Sequence, residues 1–192
     1  MQKTIVAATG NLHKLEEIRQ ILTGYTVLSE AEAGFTEEVE ETGETFRDNA
    51  LLKARAVCRA TGMPALADDS GLCVTALGGA PGVFSARYSG GDSADNRRLL
   101  LKNLENEEER SAKFTCAVAL VLPDGTEYCA IGNTCGAITR EERGTGGFGY
   151  DSLFYSNDLK KTFAEATEAE KNSVSHRGRA LKGLLRAMEL GV

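Results

Sequence analysis

Apolar positions along the chain follow two rhythms. "KTIVAAT", residues 3–9, is a short and nearly continuous apolar run that predicts a buried strand. In "NLHKLEEIRQILTG", Leu15, Ile18 and Leu22 recur at helical spacing, so Asn11 opens a helix and Gly24 is expected to stop it. A second strand is predicted at "TVLS", followed by the acidic segment "EAEAGFTEEVEETGE". Thr45 then starts a helix, with Asp48 three residues on as a capping-box signal. Phe46, Ala50, Ala54 and Val57 form its apolar stripe, and Asn49 and Lys53 share another face. "ALAD" and "LCVTAL" read as two strand-like runs with aspartates between them. A helix from Ser93 follows, then a long hairpin turning at Asp124-Gly125. A Gly-rich loop, a short strand "SLFY" and a final helix from about Ser175 to Leu190 complete the pattern. Early alternation of strand and helix, with a β meander in the middle, predicts an α/β fold on a mixed sheet.

The 192 residues suit one domain, 1–192, with a sizeable core. A net charge of −6 argues against a general nucleic-acid binder, but not against one phosphorylated small molecule bridged to acidic groups by Mg²⁺. The five cysteines are dispersed without a C-x-x-C pair and read as mostly buried thiols of a reducing compartment. Only two histidines are present, which argues against a His/Cys zinc site. The opening apolar stretch is too short for a signal peptide and no run reaches membrane length, so the expectation is a cytoplasmic protein with no membrane partner.

Five polar clusters carry the chemistry. In "ATGNLHK", Asn11 and Lys14 stand at a helix start just after a strand, where backbone N–H groups and the dipole favour an anion; an ordinary Asn cap with a solvated lysine is the alternative. In "LADDSGLCV", Asp68 and Asp69 are adjacent at what reads as a strand end, either as part of a polar hairpin or as a metal or general-base site. The acidic run with Glu37, Glu38, Glu40 and Glu41 would be a solvated face unless other segments supply matching ligands. "GTGGFGY" satisfies G-x-G-x-x-G literally, yet no strand precedes it and no helix follows, which excludes a dinucleotide fingerprint. What remains is a mobile loop whose Phe148 and Tyr150 suit a flat ring, or a plain surface loop. His176 and Arg177, with Lys171 upstream, sit at a helix start against the dipole preference, which favours an anion or ligand there.

Taken in order, "ATGNLHKLEEI", "EETGETFRDNALLKA", "LADDSGLCVTALGGAPGVFSARYSG", "TGGFGYDSLF" and "SHRGRAL" resemble the inosine triphosphate pyrophosphatase family over most of the chain. His13 stands where many members have Gly, and Ser152 where many have Pro. The resemblance implies an elongated α/β fold with a long central mixed sheet flanked by helices and two lobes around a nucleotide cleft. It implies a homodimer that uses Mg²⁺ to hydrolyse ITP, dITP and XTP to the monophosphate and pyrophosphate. By the same resemblance Thr9, Gly10, Asn11, His13 and Lys14 hold the triphosphate, Glu41 and Asp69 the metal, and Lys53 a phosphate. Asp69 is also the general base, and Ser70 lies against the substrate. Phe148, Gly149, Tyr150 and Asp151, with Lys171, His176 and Arg177, form the base pocket. Arg177 or His176 as donor to O6, and Asp151 as acceptor of N1–H, would reject adenine, whose pattern is reversed. Rival readings are a nucleotide-binding regulatory module without turnover, and hydrolysis of methylated pyrimidine triphosphates on a similar fold.

Overall fold

The computed structural model describes residues 3–190. Six strands form one mixed sheet in the order β2-β1-β3-β4-β5-β6. They are β1 (Lys3–Ala7), β2 (Tyr25–Ser29), β3 (Ala65–Val74), β4 (Ser111–Val121), β5 (Glu127–Ile138) and β6 (Phe154–Ser156). β1 pairs in parallel with both β2 and β3, whereas β5 and β6 are antiparallel. Five helices accompany them: α1 (Leu12–Ile21), α2 (Phe46–Thr61), α3 (Ser93–Asn103), α4 (Glu168–Val174) and α5 (His176–Leu190). The α/β class with a mixed sheet is therefore as expected. The described residues group into two compact units, one from 3–69, 116–132 and 177–190, the other from 70–115 and 133–176.

In the first unit the sheet has a helical layer on each face. Side chains alternate along a strand, so Ile5 and Ala7 of β1 and Leu66 of β3 face α1 and α5, meeting Leu15, Ile18, Leu181 and Leu184. Val6, Ala8, Ala65 and Ala67 face the other way and pack on Ala50, Ala54 and Val57 of α2, the stripe read from the sequence. β1 leads through α1 to one neighbour, and α2 brings the chain back to the other. The carboxyl end of β1 is thus a topological switch point, where parallel sheets place their ligands.

The second unit has its own core, with Leu72, Leu100, Leu104, Phe114, Tyr150, Leu153, Phe154 and Phe163 in contact. Several expectations need correction. "ALAD" and "LCVTAL" are not two runs parted by a turn: β3 passes straight through both aspartates. Gly24 does not stop α1, which ends at Ile21 and is capped by Leu22, whose N–H still reaches the Ile18 carbonyl at 2.9 Å. The final helix runs from His176 to Leu190 as expected, but Ser175 also caps α4, which was not foreseen because seven mostly polar residues leave no apolar stripe. Cys58 and Cys116 are buried free thiols as read, Cys73 and Cys129 are half-buried, and Cys135 is exposed.

Candidate functional site

Two clusters of polar side chains stand out, one in each unit. In the first unit the decisive feature is that Asp68 and Asp69 are consecutive on one strand and so point to opposite faces of the sheet. β1 pairing reaches Leu66, and the Ala8 N–H donates to the Leu66 carbonyl at 2.7 Å. Both carboxylates therefore lie inside β3, just beyond the end of β1. The strand tolerates them because each face brings its own partners.

On the α1 and α5 face, Asp68 is fully buried. Arg177 donates to its Oδ2 from Nη2 at 2.9 Å and from Nε at 3.2 Å, and Lys14 Nζ lies 3.2 Å from the same oxygen. Burial opposes the charge, but Arg177, Lys14 and Lys53 outweigh it and hold the carboxyl far below the usual range. Arg177 also bonds Glu17 on α1, and the two carboxylates keep its guanidinium above its ordinary value despite burial. The cation at the start of α5, which set the sequence against the helix dipole, is thus matched by buried anions of the protein itself. Arg177, expected to donate to a purine O6, instead spends all three nitrogens on Asp68 and Glu17.

On the α2 face, Asp69 accepts from Asn49 Nδ2 at 3.0 Å. Asn49 is itself oriented by the Gly43 N–H, which donates to its Oδ1 at 2.7 Å. A Cβ on Gly43 would stand 2.6 Å from that oxygen, so the approach requires glycine. Lys53 donates to Glu41 Oε1 at 2.6 Å and to the Asp68 carbonyl at 2.8 Å. Burial raises the Asp69 carboxyl above its ordinary value, Lys53 and Asn49 oppose that, and Glu41 adds to it. Lys53 is also raised: burial works against its charge, and Asp68, Glu41 and Asp69 overcome it. Two neighbouring aspartates are therefore driven in opposite directions, one a fixed anion and the other a carboxylate biased towards accepting a proton.

The turn from β1 into α1 is exposed. The Asn11 N–H meets Thr9 Oγ1 at 3.2 Å, and Asn11 Oδ1 accepts from the N–H groups of His13 and Lys14 at 3.0 and 3.2 Å. The Asn cap of the plainer reading is present, but its lysine is not solvated, since Lys14 pairs with Asp68. An anion at this turn would have to exchange for those side-chain acceptors. Gly10 and His13 are exposed beside it.

In the second unit Asp151 and Lys171, both buried, pair at 2.6 Å. Asp151 also accepts from the Phe148 N–H at 2.9 Å, and the Lys171 ammonium lies 4.6 Å from the Phe148 ring centroid. His176 stacks on Phe114 with centroids 4.6 Å apart and planes 11° from parallel. Tyr150, expected to suit a flat ring, has its ring in the core, and its hydroxyl donates to the Ser85 carbonyl at 2.8 Å. The glycine loop is tied down as well. Gly144 has φ +81° and a Cβ there would stand 2.4 Å from Ala164, while the Gly146 N–H donates to the Ala164 carbonyl at 3.0 Å. Gly149 is left-handed at φ +61°, and Ser70 is half-buried on β3.

Among the described residues, no group of three His, Cys, Asp or Glu side chains gathers as a metal site. Glu41 and Asp69 nevertheless both border Lys53 and offer oxygen donors alone, which suits Mg²⁺, an ion usually held by one or two carboxylates together with phosphate and water. Asn49 and Glu17 were not among the candidate residues, and Asp68, weighed with Asp69 as a metal or general-base site, is paired with Arg177 and Lys14. Glu17 lies off the Leu15, Ile18 and Leu22 stripe of α1, so its burial and its need for a partner appear only in the structure.

A family model described as the Ham1 family matches residues 5–187. A "dITP/XTP pyrophosphatase" of Shigella flexneri is 47% identical, with 100% of both chains covered. One from Bacillus subtilis is also 47% identical, with 98% of each covered. Among solved structures, the Staphylococcus aureus Ham1 protein aligns with TM-score 0.87 at 39% identity, covering 98% of this chain and 99% of that one. A nucleoside-triphosphatase, dITP/XTP pyrophosphatase, of Mycobacterium abscessus gives TM-score 0.75 at 47% identity, over 95% and 98%. The chain belongs to the Ham1 family.

Proposed function

We propose that the protein hydrolyses deaminated purine nucleoside triphosphates, ITP, dITP and XTP, to the monophosphate and pyrophosphate, and so cleanses the nucleotide pool. The names of its full-length relatives support this activity. The single observation that carries the chemistry is the split of Asp68 and Asp69 onto opposite sheet faces at the switch point, Asp68 paired with Arg177 and Lys14 and Asp69 oriented by Asn49.

In this reading Asp69 takes a proton from water, whose oxygen bonds to the α-phosphorus as the bond to the bridging oxygen breaks and pyrophosphate leaves. Asn49 fixes the carboxylate, and Lys53 supplies positive charge beside it. Lys14, Asn11, Thr9, Gly10 and His13 are assigned to the phosphates, with Asp68 setting where the Lys14 ammonium stands. Mg²⁺ would be held by Glu41 and Asp69, and when bound it supplies charge neutralisation at the phosphates. Phe148 is assigned to stacking on the purine, with Ser70, Gly149, Asp151, Lys171 and His176 around it. Lys171 only donates, which fits an O6 carbonyl and not an adenine amino group. Tyr150 anchors the loop of the second unit through Ser85, and Arg177 holds Asp68 in the first. A homodimer in the cytoplasm completes the proposal; the free cysteines support a reducing compartment.

The test is a panel of nucleoside triphosphates with separate detection of pyrophosphate and orthophosphate, with Mg²⁺ or with chelator. Turnover of ITP, dITP and XTP far above ATP, with pyrophosphate as product and loss on chelation, is expected. Orthophosphate as the first product would overturn the reaction, and undiminished turnover in chelator would overturn the metal assignment.

A further inference from the structure

The geometry points to Arg97 as a positioning residue for base recognition, one that holds the Gly149 carbonyl and thereby sets the Phe148 ring. The inference rests on the nucleotide reading above and adds a residue outside its proposed contacts. Arg97 sits on α3, and its neighbour Asn96 fastens that helix in place. The buried Asn96 amide donates to the Ala86 carbonyl at 3.1 Å and accepts from the Ser89 N–H and hydroxyl at 2.8 and 2.7 Å. Arg97 therefore reaches out from a fixed point, and its Nη1 donates to the Gly149 carbonyl at 3.0 Å.

The guanidinium is oriented from its other side by Glu142, whose Oε2 lies 3.0 Å from Nε as an ion pair without hydrogen-bond alignment. The same Glu142 oxygen accepts the Ser152 hydroxyl at 2.8 Å. Partial burial works against the Glu142 charge, but Ser152 and Arg97 outweigh it and keep the carboxyl below its ordinary value. Ser152 is one of the two positions where the sequence departs from the related pattern, and a proline there would have no hydroxyl to offer. Phe148 is thus clamped from two directions. Asp151 holds its N–H at 2.9 Å and donates from its own N–H to its carbonyl at 3.1 Å, and Arg97 holds the next carbonyl along. Gly149 is left-handed at φ +61°, and the Gly149–Tyr150 peptide, whose carbonyl Arg97 holds, adjoins the Phe148–Asp151 bonds, so Arg97 adds a charged anchor to the segment that carries the Phe148 ring.

Steady-state kinetics with ITP and calorimetry with IMP test the assignment, on wild type, Arg97→Ala, Arg97→Lys and the control Arg98→Ala, whose exposed arginine pairs with Asp95 on its own helix. Inorganic tripolyphosphate, as competitive inhibitor, reports the phosphate-binding groups alone. Losing one charge-assisted hydrogen bond should raise the ITP KM and the IMP Kd about tenfold in Arg97→Ala, with kcat within about twofold and tripolyphosphate inhibition unchanged. Arg97→Lys should recover part of the loss, and Arg98→Ala should match wild type. If Arg97→Ala does not fold, Ser152→Ala carries the test, with a KM rise of about threefold expected from loosening Glu142. An unchanged KM, or equal weakening towards tripolyphosphate, overturns the role. A wild type that does not turn over ITP sinks the pyrophosphatase reading instead, and the IMP Kd values still judge Arg97.

Discussion

Asn49 donates one amide hydrogen to Asp69 at 3.0 Å while its oxygen is held by the Gly43 N–H at 2.7 Å, so a glycine in the acidic loop indirectly aims a carboxylate on β3. The Asn49 bond favours the charged form of Asp69 against burial. Asn49→Ala should therefore raise the Asp69 pKa further. Because the base acts deprotonated, the acid limb of kcat/KM should move to higher pH, and kcat should fall about tenfold. A pH–rate profile decides it: a limb that stays in place removes Asn49 from the site.

The two aspartates should answer the same substitution in opposite ways. Asp69→Asn should lower kcat by about 10²-fold or more, the scale of a lost general base. Its folded carboxyl is raised, so its contribution to stability is lost as pH rises through the folded pKa, and the amide should leave Tm at neutral pH unchanged or higher. The Asp68 carboxyl is depressed, so its stabilisation is present above the unfolded value and lost only as pH falls towards the folded one. Asp68→Asn leaves Arg177 buried without its full charge partner and should cost about 3–5 kcal/mol at neutral pH. Thermal melts of both variants, with ITP turnover, are the measurement; equal melting temperatures would contradict the assignment.

Arg177→Ala should act first through stability. It strands Asp68 and Glu17 in the first unit, at a cost of about 3–5 kcal/mol, and should weaken ITP and ATP turnover by the same factor. A selective loss on ITP with an unchanged Tm would return Arg177 to the purine.

Lys171 is the better candidate for reading the base. It is buried against Phe148 and paired with Asp151, and its ammonium can only donate. Lys171→Met keeps much of the apolar stem and should reduce the ITP to ATP ratio of kcat/KM by about tenfold or more. A ratio equal to that of wild type would leave the discrimination to other groups.

The order of strands and helices was legible in the chain because apolar periodicity is local. Leu15, Ile18 and Leu22 announce α1, and Ala50, Ala54 and Val57 announce α2, whatever they pack against. The motifs were legible for the same reason, as short runs of particular residue types. What local pattern could not decide was direction and partnership. Whether Asp-Asp-Ser-Gly turns or runs straight depends on a β1 neighbour some sixty residues earlier, on cations from α1, α2 and α5 and on the Asn49 amide, and these make an extended pair of buried carboxylates affordable. Arg177 looked like a ligand-binding cation because nothing within its own helix neutralises it; Glu17, 160 positions away, does. Tyr150 looked like part of an aromatic lid because its loop is rich in glycine, yet Ser85 captures its hydroxyl from another segment. Elements follow from neighbours in sequence, whereas the charge state of a buried group follows from neighbours in space, and only the tertiary structure brings those together.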